Sequence, residues 1–130
     1  MPSVRIPSSF AGLRILVVED TMLVAQTIEM LLLKRECVVV GPYSTVESAL
    51  AAAESEQDLA GALLDINLNG HLVYPVADEL IRRKIPFIFL TGYAATSLPP
   101  QFASVPILEK PFSGADFETT FRSTFAAAPA

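Results

Sequence analysis

Residues 15–22 of the 130-residue chain read ILVVEDTM, and this stretch decides the fold. Its first four residues are aliphatic and predict a buried strand, because a short continuous apolar run is typical of a strand covered on both faces. The run leads directly into two adjacent carboxylates, Glu19 and Asp20. Like charges at the end of an apolar strand repel each other and lose hydration, so we expect them to have a function.

Similar apolar runs recur along the chain and alternate with helical patterns. We predict strands at residues 13–18, 37–41, 61–65, 86–91 and 105–109. Apolar residues at helical spacing predict helices at residues 22–35, 44–55 and 72–83, and a last helix from residue 113. This alternation predicts an α/β fold, a doubly wound five-stranded parallel sheet with helices on both faces and right-handed crossovers.

Individual residues predict where the helices begin and which of their faces are apolar. Ser44 and Glu47 predict a capping box at the start of the second helix. Leu72 is predicted to begin the apolar face of the third helix, and Ser113 and Asp116 to cap the last one. The apolar stripe of the last helix is expected in the core and consists of Phe117, Phe121 and Phe125.

The composition of the chain argues against a nucleic-acid-binding protein and against a membrane protein. The net charge of −5 and the pI of about 4.7 argue against a nucleic-acid surface, which needs clustered basic residues. No apolar run approaches the roughly 18 residues of a membrane span, and residues 1–12 lack the apolar segment of a signal peptide. We therefore expect a cytoplasmic protein without membrane or nucleic-acid partners. Cys37 is expected to be a buried, reduced, structural thiol.

The length suits one domain, and 52% hydrophobic residues suffice for a substantial core. We expect residues 1–12 to be a flexible leader, residues 13–125 the domain, and residues 126–130 a flexible tail.

Polar side chains follow four of the predicted strands. In order along the chain they are Glu19, Asp20, Asp65, Thr91 and Lys110. Ligands of open parallel sheets bind beyond the carboxyl ends of the strands, so we expect these side chains to form one site.

Three converging carboxylates predict a site for a hard divalent cation, and Mg²⁺ suits a few carboxylates completed by water. Asp65 is expected to bind the metal and to act as a carboxylate nucleophile toward phosphorus. The Thr91 hydroxyl and the Lys110 ammonium are expected to bind oxygens of the phosphoryl group.

Each residue taken alone also has an ordinary structural role open to it. Acids suit the start of a helix, and Asp20 is a candidate N-cap. Thr91 is a common strand residue, and Lys110 alone would be an ordinary surface lysine. Only their conjunction at four strand ends favours a functional site. His71 is expected to be an exposed loop or cap residue without a metal role.

The segments ILVVED, LLDINLNG, FLTG and LEKPF, in this order, resemble the receiver domain of two-component response regulators. The resemblance covers residues 13–125 and implies the flavodoxin-like strand order 2-1-3-4-5. It also implies transfer of a phosphoryl group from a histidine kinase to Asp65. Mg²⁺ would be held by Asp20, Asp65 and the backbone carbonyl of Asn67, and Glu19 would act through a metal-bound water. The bond between Lys110 and the following proline is commonly cis in this family.

The chain departs from the usual receiver pattern in three ways. Gly92 and Tyr93 follow the threonine, which resembles a mostly single-domain subgroup with a Phe-x-Thr-Gly-aromatic motif. Ile107 occupies the position of the usual switch aromatic, so Tyr93 is predicted to be either the moving aromatic or a fixed lid. Pro99 and Pro100 interrupt the segment before the fifth strand, so the fourth helix is expected to be short, displaced or absent.

These features predict a single-domain response regulator that switches a protein-interaction surface, as a monomer or a phosphorylation-dependent dimer. Its partners would be a histidine kinase and an unknown output protein, and it would catalyse only its own phosphorylation and dephosphorylation. A phosphate sink or a phosphorelay intermediate is the alternative. A haloacid-dehalogenase-like phosphatase is remote, because Asn67 stands where its second aspartate is needed. A flavodoxin-like nucleotide or flavin module is disfavoured, because the first strand–helix turn lacks a glycine-rich loop.

Overall fold

The computed structural model describes residues 10–92 and 98–125. Its main sheet has five parallel strands: β1 (Arg14–Val18), β2 (Val38–Tyr43), β3 (Leu59–Asp65), β6 (Phe87–Thr91) and β7 (Ile107–Glu109). A separate antiparallel hairpin consists of β4 (Asn67–Leu68) and β5 (His71–Leu72). The helices are α1 (Met22–Lys34), α2 (Val46–Ser55), α3 (Tyr74–Arg82) and α4 (Gly114–Phe125), with a 3-10 helix at Pro100–Phe102.

The strand order of the main sheet is β2-β1-β3-β6-β7. Without the hairpin this is the predicted order 2-1-3-4-5, and the predicted doubly wound α/β fold is confirmed. The bond from Lys110 to Pro111 is cis, as it commonly is in receivers.

Two hydrophobic clusters cover the two faces of the sheet. Successive residues of β1 alternate between them, with Ile15 and Val17 in one cluster and Leu16 and Val18 in the other. Helices α2 and α3 contribute to the cluster of Leu16, and α1 and α4 to that of Ile15. Burial on both faces explains why β1 is a continuous apolar run rather than an alternating one.

The helix starts differ in two places from the prediction. Thr45, not Ser44, is the N-cap of α2, and its Oγ1 accepts the N–H of Ser48 at 3.1 Å. Helix α3 begins at Tyr74, while Leu72 lies in β5 and is half exposed, because the hairpin occupies the residues before the helix.

The last helix agrees with the prediction at its start and along its apolar face. The Ser113 hydroxyl accepts the N–H of Asp116 at 3.0 Å. The stripe packs in the core as expected, and its members are Phe117, Phe121 and Phe125.

The packed part of the domain includes Phe10, which lies within the leader predicted from the sequence. Its ring is buried and meets Phe121 edge to face at a centroid distance of 4.9 Å. The thiol of Cys37 is buried as predicted and donates to the Phe10 carbonyl at 3.5 Å. Residues 1–9 and 126–130, the rest of the predicted leader and the predicted tail, lie outside the described residues.

The segment between β6 and β7 contains no α-helix in its described part, residues 98–106, which agrees with the predicted short or absent fourth helix. The 3-10 helix places Phe102 on the sheet, fully buried. Its ring meets those of Phe89 at 5.4 Å and Tyr74 at 5.2 Å. One aromatic side chain thus covers sheet surface that would otherwise need a helix. Among all the helices described, none is long and apolar enough to cross a membrane.

The close contact between Gly61 of β3 and Phe125 of α4 makes a prediction about packing. A Cβ at Gly61 would lie 2.3 Å from the Phe125 ring. We expect Gly61→Ala to lower the free energy of unfolding by about 1–3 kcal/mol through overpacking. Phe125→Ala removes a large buried side chain and should cost about 3–5 kcal/mol.

Chemical denaturation of both single variants and the double variant measures the coupling between the two positions. The double variant should lose less stability than the two single variants together, because the smaller side chain makes room for the methyl group. Gly114→Ala is the matched control, since a Cβ there meets nothing within 4 Å. Additive losses at Gly61 and Phe125 would contradict the assignment.

Candidate functional site

Four strands of the main sheet end at one edge, and the polar side chains predicted from the sequence come together there. The carboxylates of Glu19, Asp20 and Asp65 each place an oxygen within 4.8 Å of the other two. The ammonium nitrogen of Lys110 lies 3.1 Å from Glu19 Oε1 and 3.2 Å from Asp65 Oδ2. Thr91 lines the same cleft. The structure therefore brings all five predicted side chains to one place.

The cleft has a volume of about 540 Å³ and is walled on one side by the β4–β5 hairpin. Asn67, the first residue of β4, lines it and donates its N–H to Asp65 Oδ1 at 3.3 Å. Asn67 thus lies beside Asp65, where its backbone is near the carboxylate cluster. The cleft is wide enough to admit a phosphoryl group together with water.

The two adjacent acids after β1 have different surroundings. Glu19 is 2% exposed, and its Oε2 accepts the N–H of Thr21 at 2.9 Å. Asp20 is half buried, and its Oδ2 accepts the N–H of Asn69 at 3.0 Å. Thr21 is the N-cap of α1, so the alternative role of Asp20 as the cap is wrong. Glu19 satisfies an amide at the helix start, and Asp20 faces the hairpin.

Burial and neighbouring charges together shift the pKa of Asp65. Burial raises the pKa of this carboxyl, Glu19 raises it further, and Lys110 opposes both, with the result that the pKa is about 7. Ionisation of Asp65 is therefore costly unless additional positive charge enters the site.

Lys110 contributes a single positive charge, which pairs with the carboxylates of Glu19 and Asp65. Burial by itself would lower the pKa of its ammonium, but Asp65 and Glu19 raise that pKa above its ordinary value. The lysine is therefore charged, and it bridges acids that end two different strands. Three carboxylates and one ammonium leave an excess of negative charge.

The donor set fits a hard divalent cation. All the converging carboxylate donors are oxygens, which Mg²⁺ prefers, and Asp20 lies at the open side of the cleft, where water can complete the coordination. The structure contains the side chains that the resemblance implies for such a metal, at mutual distances short enough for shared coordination.

The remaining predicted residues lie away from this cluster or cannot be placed. Ile107, at the position of the usual switch aromatic, is 37% exposed and is not among the residues that line the cleft. His71 is exposed on β5 and is not part of the acidic cluster. Tyr93, the predicted moving aromatic or lid, lies outside the described residues.

The hairpin and its contact with Asp20 were not predicted from the sequence. Asn69 and Gly70 both have positive φ, 51° and 90°, and form a two-residue turn between β4 and β5. An Asn-Gly pair is the strongest short-range sequence signal of such a hairpin, so the information was present. The helical spacing of Leu72 with the next apolar residues obscured it.

Comparison with known proteins locates the chain in a family. No family model and no curated protein matches it. Among solved structures, the chain is similar to SdrG from Sphingomonas melonis Fr1, with 36% identity over 86% of this chain and 95% of that one and a TM-score of 0.76. A BeF3-activated conformation of SdrG, from Pseudomonas melonis Fr1, matches with 37% identity over 87% of this chain and 96% of that one and a TM-score of 0.73.

Two further similar structures are a receiver domain and a response regulator. The receiver domain of the sensor histidine kinase PA1611 from Pseudomonas aeruginosa PAO1, with a magnesium ion coordinated in its active site cleft, is 25% identical over 90% of this chain and all of that one (100%), with a TM-score of 0.72. The response regulator PhyR from Brucella abortus is 26% identical over 92% of this chain but only 50% of its own length, with a TM-score of 0.76. With the strand order and the cluster of acids and lysine at the sheet edge, these similarities show that the chain belongs to the receiver-domain family of response regulators.

Proposed function

We propose that this receiver domain is a switch in which Asp65 accepts a phosphoryl group from a histidine kinase in the presence of Mg²⁺. The observation that carries the proposal is the buried Asp65 carboxylate at the end of β3, with acids on one side and the Lys110 ammonium 3.2 Å from its Oδ2. The BeF3-activated conformation of SdrG and the magnesium ion in the PA1611 receiver support the same chemistry here.

The reaction transfers a phosphoryl group from the histidine of the kinase to the carboxylate of Asp65. An oxygen of the ionised Asp65 carboxylate attacks the phosphorus of a phosphohistidine, the P–N bond breaks, and its electron pair stays on the imidazole, which takes up a proton. The product is an acyl phosphate on Asp65. Lys110 pairs with one phosphoryl oxygen, and the Thr91 hydroxyl donates to another.

Asp20, Asp65 and the Asn67 carbonyl would hold the metal, with Glu19 acting through water. When bound, Mg²⁺ supplies positive charge that neutralises oxygens of the incoming group and favours the ionised form of Asp65.

The output of the proposed switch is contact with another protein, in the cytoplasm, by a monomer or a phosphorylation-dependent dimer. Tyr93 is our proposed moving aromatic, with a fixed lid as the alternative. Ile107 lies on the surface and replaces the flat ring that would otherwise move there. A phosphate sink or phosphorelay intermediate uses the same site chemistry and differs only in lacking a regulated partner.

The first test concerns the phosphoacceptor. Incubation with Mg²⁺ and acetyl phosphate should add one phosphoryl group to the wild type, and Asp65→Asn should abolish the addition, because an amide is not a nucleophile of this kind. Intact mass spectrometry measures both. Asp58→Asn is the matched control, since Asp58 precedes the opposite end of the same strand and is exposed. Full labelling of Asp65→Asn would refute the assignment.

The second test concerns the metal. Mg²⁺ that binds only the native state raises its stability by RT ln(1 + [L]/Kd), about 2.7 kcal/mol at a hundredfold excess over Kd. The melting temperature of the wild type should therefore rise with Mg²⁺, and that of Asp20→Ala should respond little. Glu54→Ala, which removes an exposed acid on α2, should respond like the wild type. An equal response in Asp20→Ala would show that the cation binds elsewhere.

The third test uses pH. The pKa of Asp65 is about 7 in the native state against an ordinary value of 3.8, so the native state binds this proton more tightly than the unfolded state. The corresponding stability is fully present below about pH 4 and is lost as the pH rises through about 7. Denaturation without metal should show that the wild type loses more stability than Asp65→Asn between about pH 5 and about pH 8. Parallel pH profiles would contradict the perturbed carboxyl.

A further inference from the structure

The tip of the β4–β5 hairpin is a tight two-residue turn. Asn69 and Gly70 occupy its two turn positions with φ values of 51° and 90°, which is typical of a type I′ turn. The side chain of Asn67 closes the turn from inside, because its Oδ1 accepts the N–H of Gly70 at 2.6 Å.

The base of the hairpin is fixed to the core. Leu68 is 2% exposed and belongs to the cluster that α2 and α3 cover. Just after β5, the N–H of the fully buried Val73 donates to the Ile66 carbonyl at 2.9 Å. The hairpin thus stands on the body of the domain, and its tip has a defined position relative to the end of β3.

Two backbone N–H groups of the hairpin contact carboxylates of the site. Asn67, in β4, and Asn69, the first turn residue, each donate a backbone N–H to an acid of the site. The first donates to Asp65 Oδ1 at 3.3 Å and the second to Asp20 Oδ2 at 3.0 Å. The second bond joins residues 49 positions apart and is the link between the hairpin and the acid that follows β1.

We propose that the hairpin is a positioning device for the metal site, in which the backbone N–H of Asn69 holds Asp20 ready for a divalent cation. This inference rests on the proposed function, because it requires that Asp20 bind the metal. Asp20 is half exposed and would otherwise sample several rotamers, whose loss on binding costs free energy. A hydrogen bond to one carboxylate oxygen removes that freedom in advance and offsets part of the repulsion from the other acids.

The opposite effect is physically reasonable as well. A backbone N–H and a cation compete if both need the same oxygen, and loosening the hairpin would then strengthen metal binding. The direction of the change in affinity therefore decides between a positioning role and a competing one.

Two substitutions at one position separate the backbone from the side chain. Asn69→Gly and Asn69→Val both delete the amide side chain, but only glycine accepts a positive φ without strain, since a β-branched residue strongly disfavours it. Isothermal titration of the metal-free protein with Mg²⁺ alone should show Asn69→Val binding about tenfold more weakly than the wild type. Asn69→Gly, the conservative variant, should retain an affinity close to that of the wild type.

Gly70→Ala is a second variant that strains the same turn, and it tests the proposal even if Asn69→Val fails to fold. A Cβ at Gly70 meets nothing within 4 Å, so this change strains the turn through its φ of 90° without a steric clash. It should weaken Mg²⁺ binding in the same direction, while His71→Ala, an exposed change in the same hairpin, should not. Circular dichroism and melting without metal establish that each variant is folded.

The outcomes separate this inference from the proposed function. If the wild type binds Mg²⁺ and Asp20→Ala does not, the metal site stands. Affinities in Asn69→Val and Gly70→Ala that equal or exceed that of the wild type would then overturn the positioning role alone. Equal losses in Asn69→Gly and Asn69→Val would overturn it in favour of the side chain. Failure of the wild type to bind Mg²⁺ would overturn both.

Discussion

The bridge that Lys110 makes between Glu19 and Asp65 is the interaction on which the site depends. Both acids are almost completely buried, where like charges repel strongly and hydration is lost. The ammonium lies within 3.2 Å of an oxygen of each, and it comes from a third strand. One positive charge does not balance three carboxylates, which is why we propose that the site binds a further cation. Together, the lysine and that cation would suit a phosphoryl dianion.

The sheet supplies the geometry for this arrangement. Parallel strands place their carboxyl ends at one edge, and the two hydrophobic clusters hold the strands from both faces. The site residues can therefore be polar and mutually repulsive, because they are not needed to hold the sheet together. On one face the described part of the segment before β7 covers the strands with Phe102 rather than with a helix.

Sequence reasoning succeeded where the signal was local. The apolar runs with polar residues at their ends predicted the strands and the convergence of Asp65, Thr91 and Lys110, since strands buried on both faces are continuous apolar runs. The strand order came from the resemblance to receiver domains. It failed where two local signals competed. Leu72 fits a helical stripe, yet the Asn-Gly turn before it forms a hairpin and moves it out of the helix.

Tertiary contacts account for the other differences. Phe10 looks like part of a loose leader because nothing nearby in sequence shows the ring of Phe121 against which it packs. The hydrogen bond from Asn69 to Asp20 is likewise a contact between distant segments, and no spacing rule predicts it. Ser44 and Thr45 are both suitable caps by residue type, and only the backbone conformation at Thr45, extended just before α2, shows which of them is the cap.

The long sequence separation between Glu19 and Lys110 also has a consequence for the order of folding. Their contact closes a loop of 91 residues, for which chain length alone costs roughly 4 kcal/mol of closure entropy, so we expect it to form after the strands between them have assembled. The stabilisation that Lys110 gives to the acids would then be absent from the transition state. Substitution of Lys110 should therefore alter the unfolding rate more than the folding rate, so the lysine that the site needs is not needed for rapid folding.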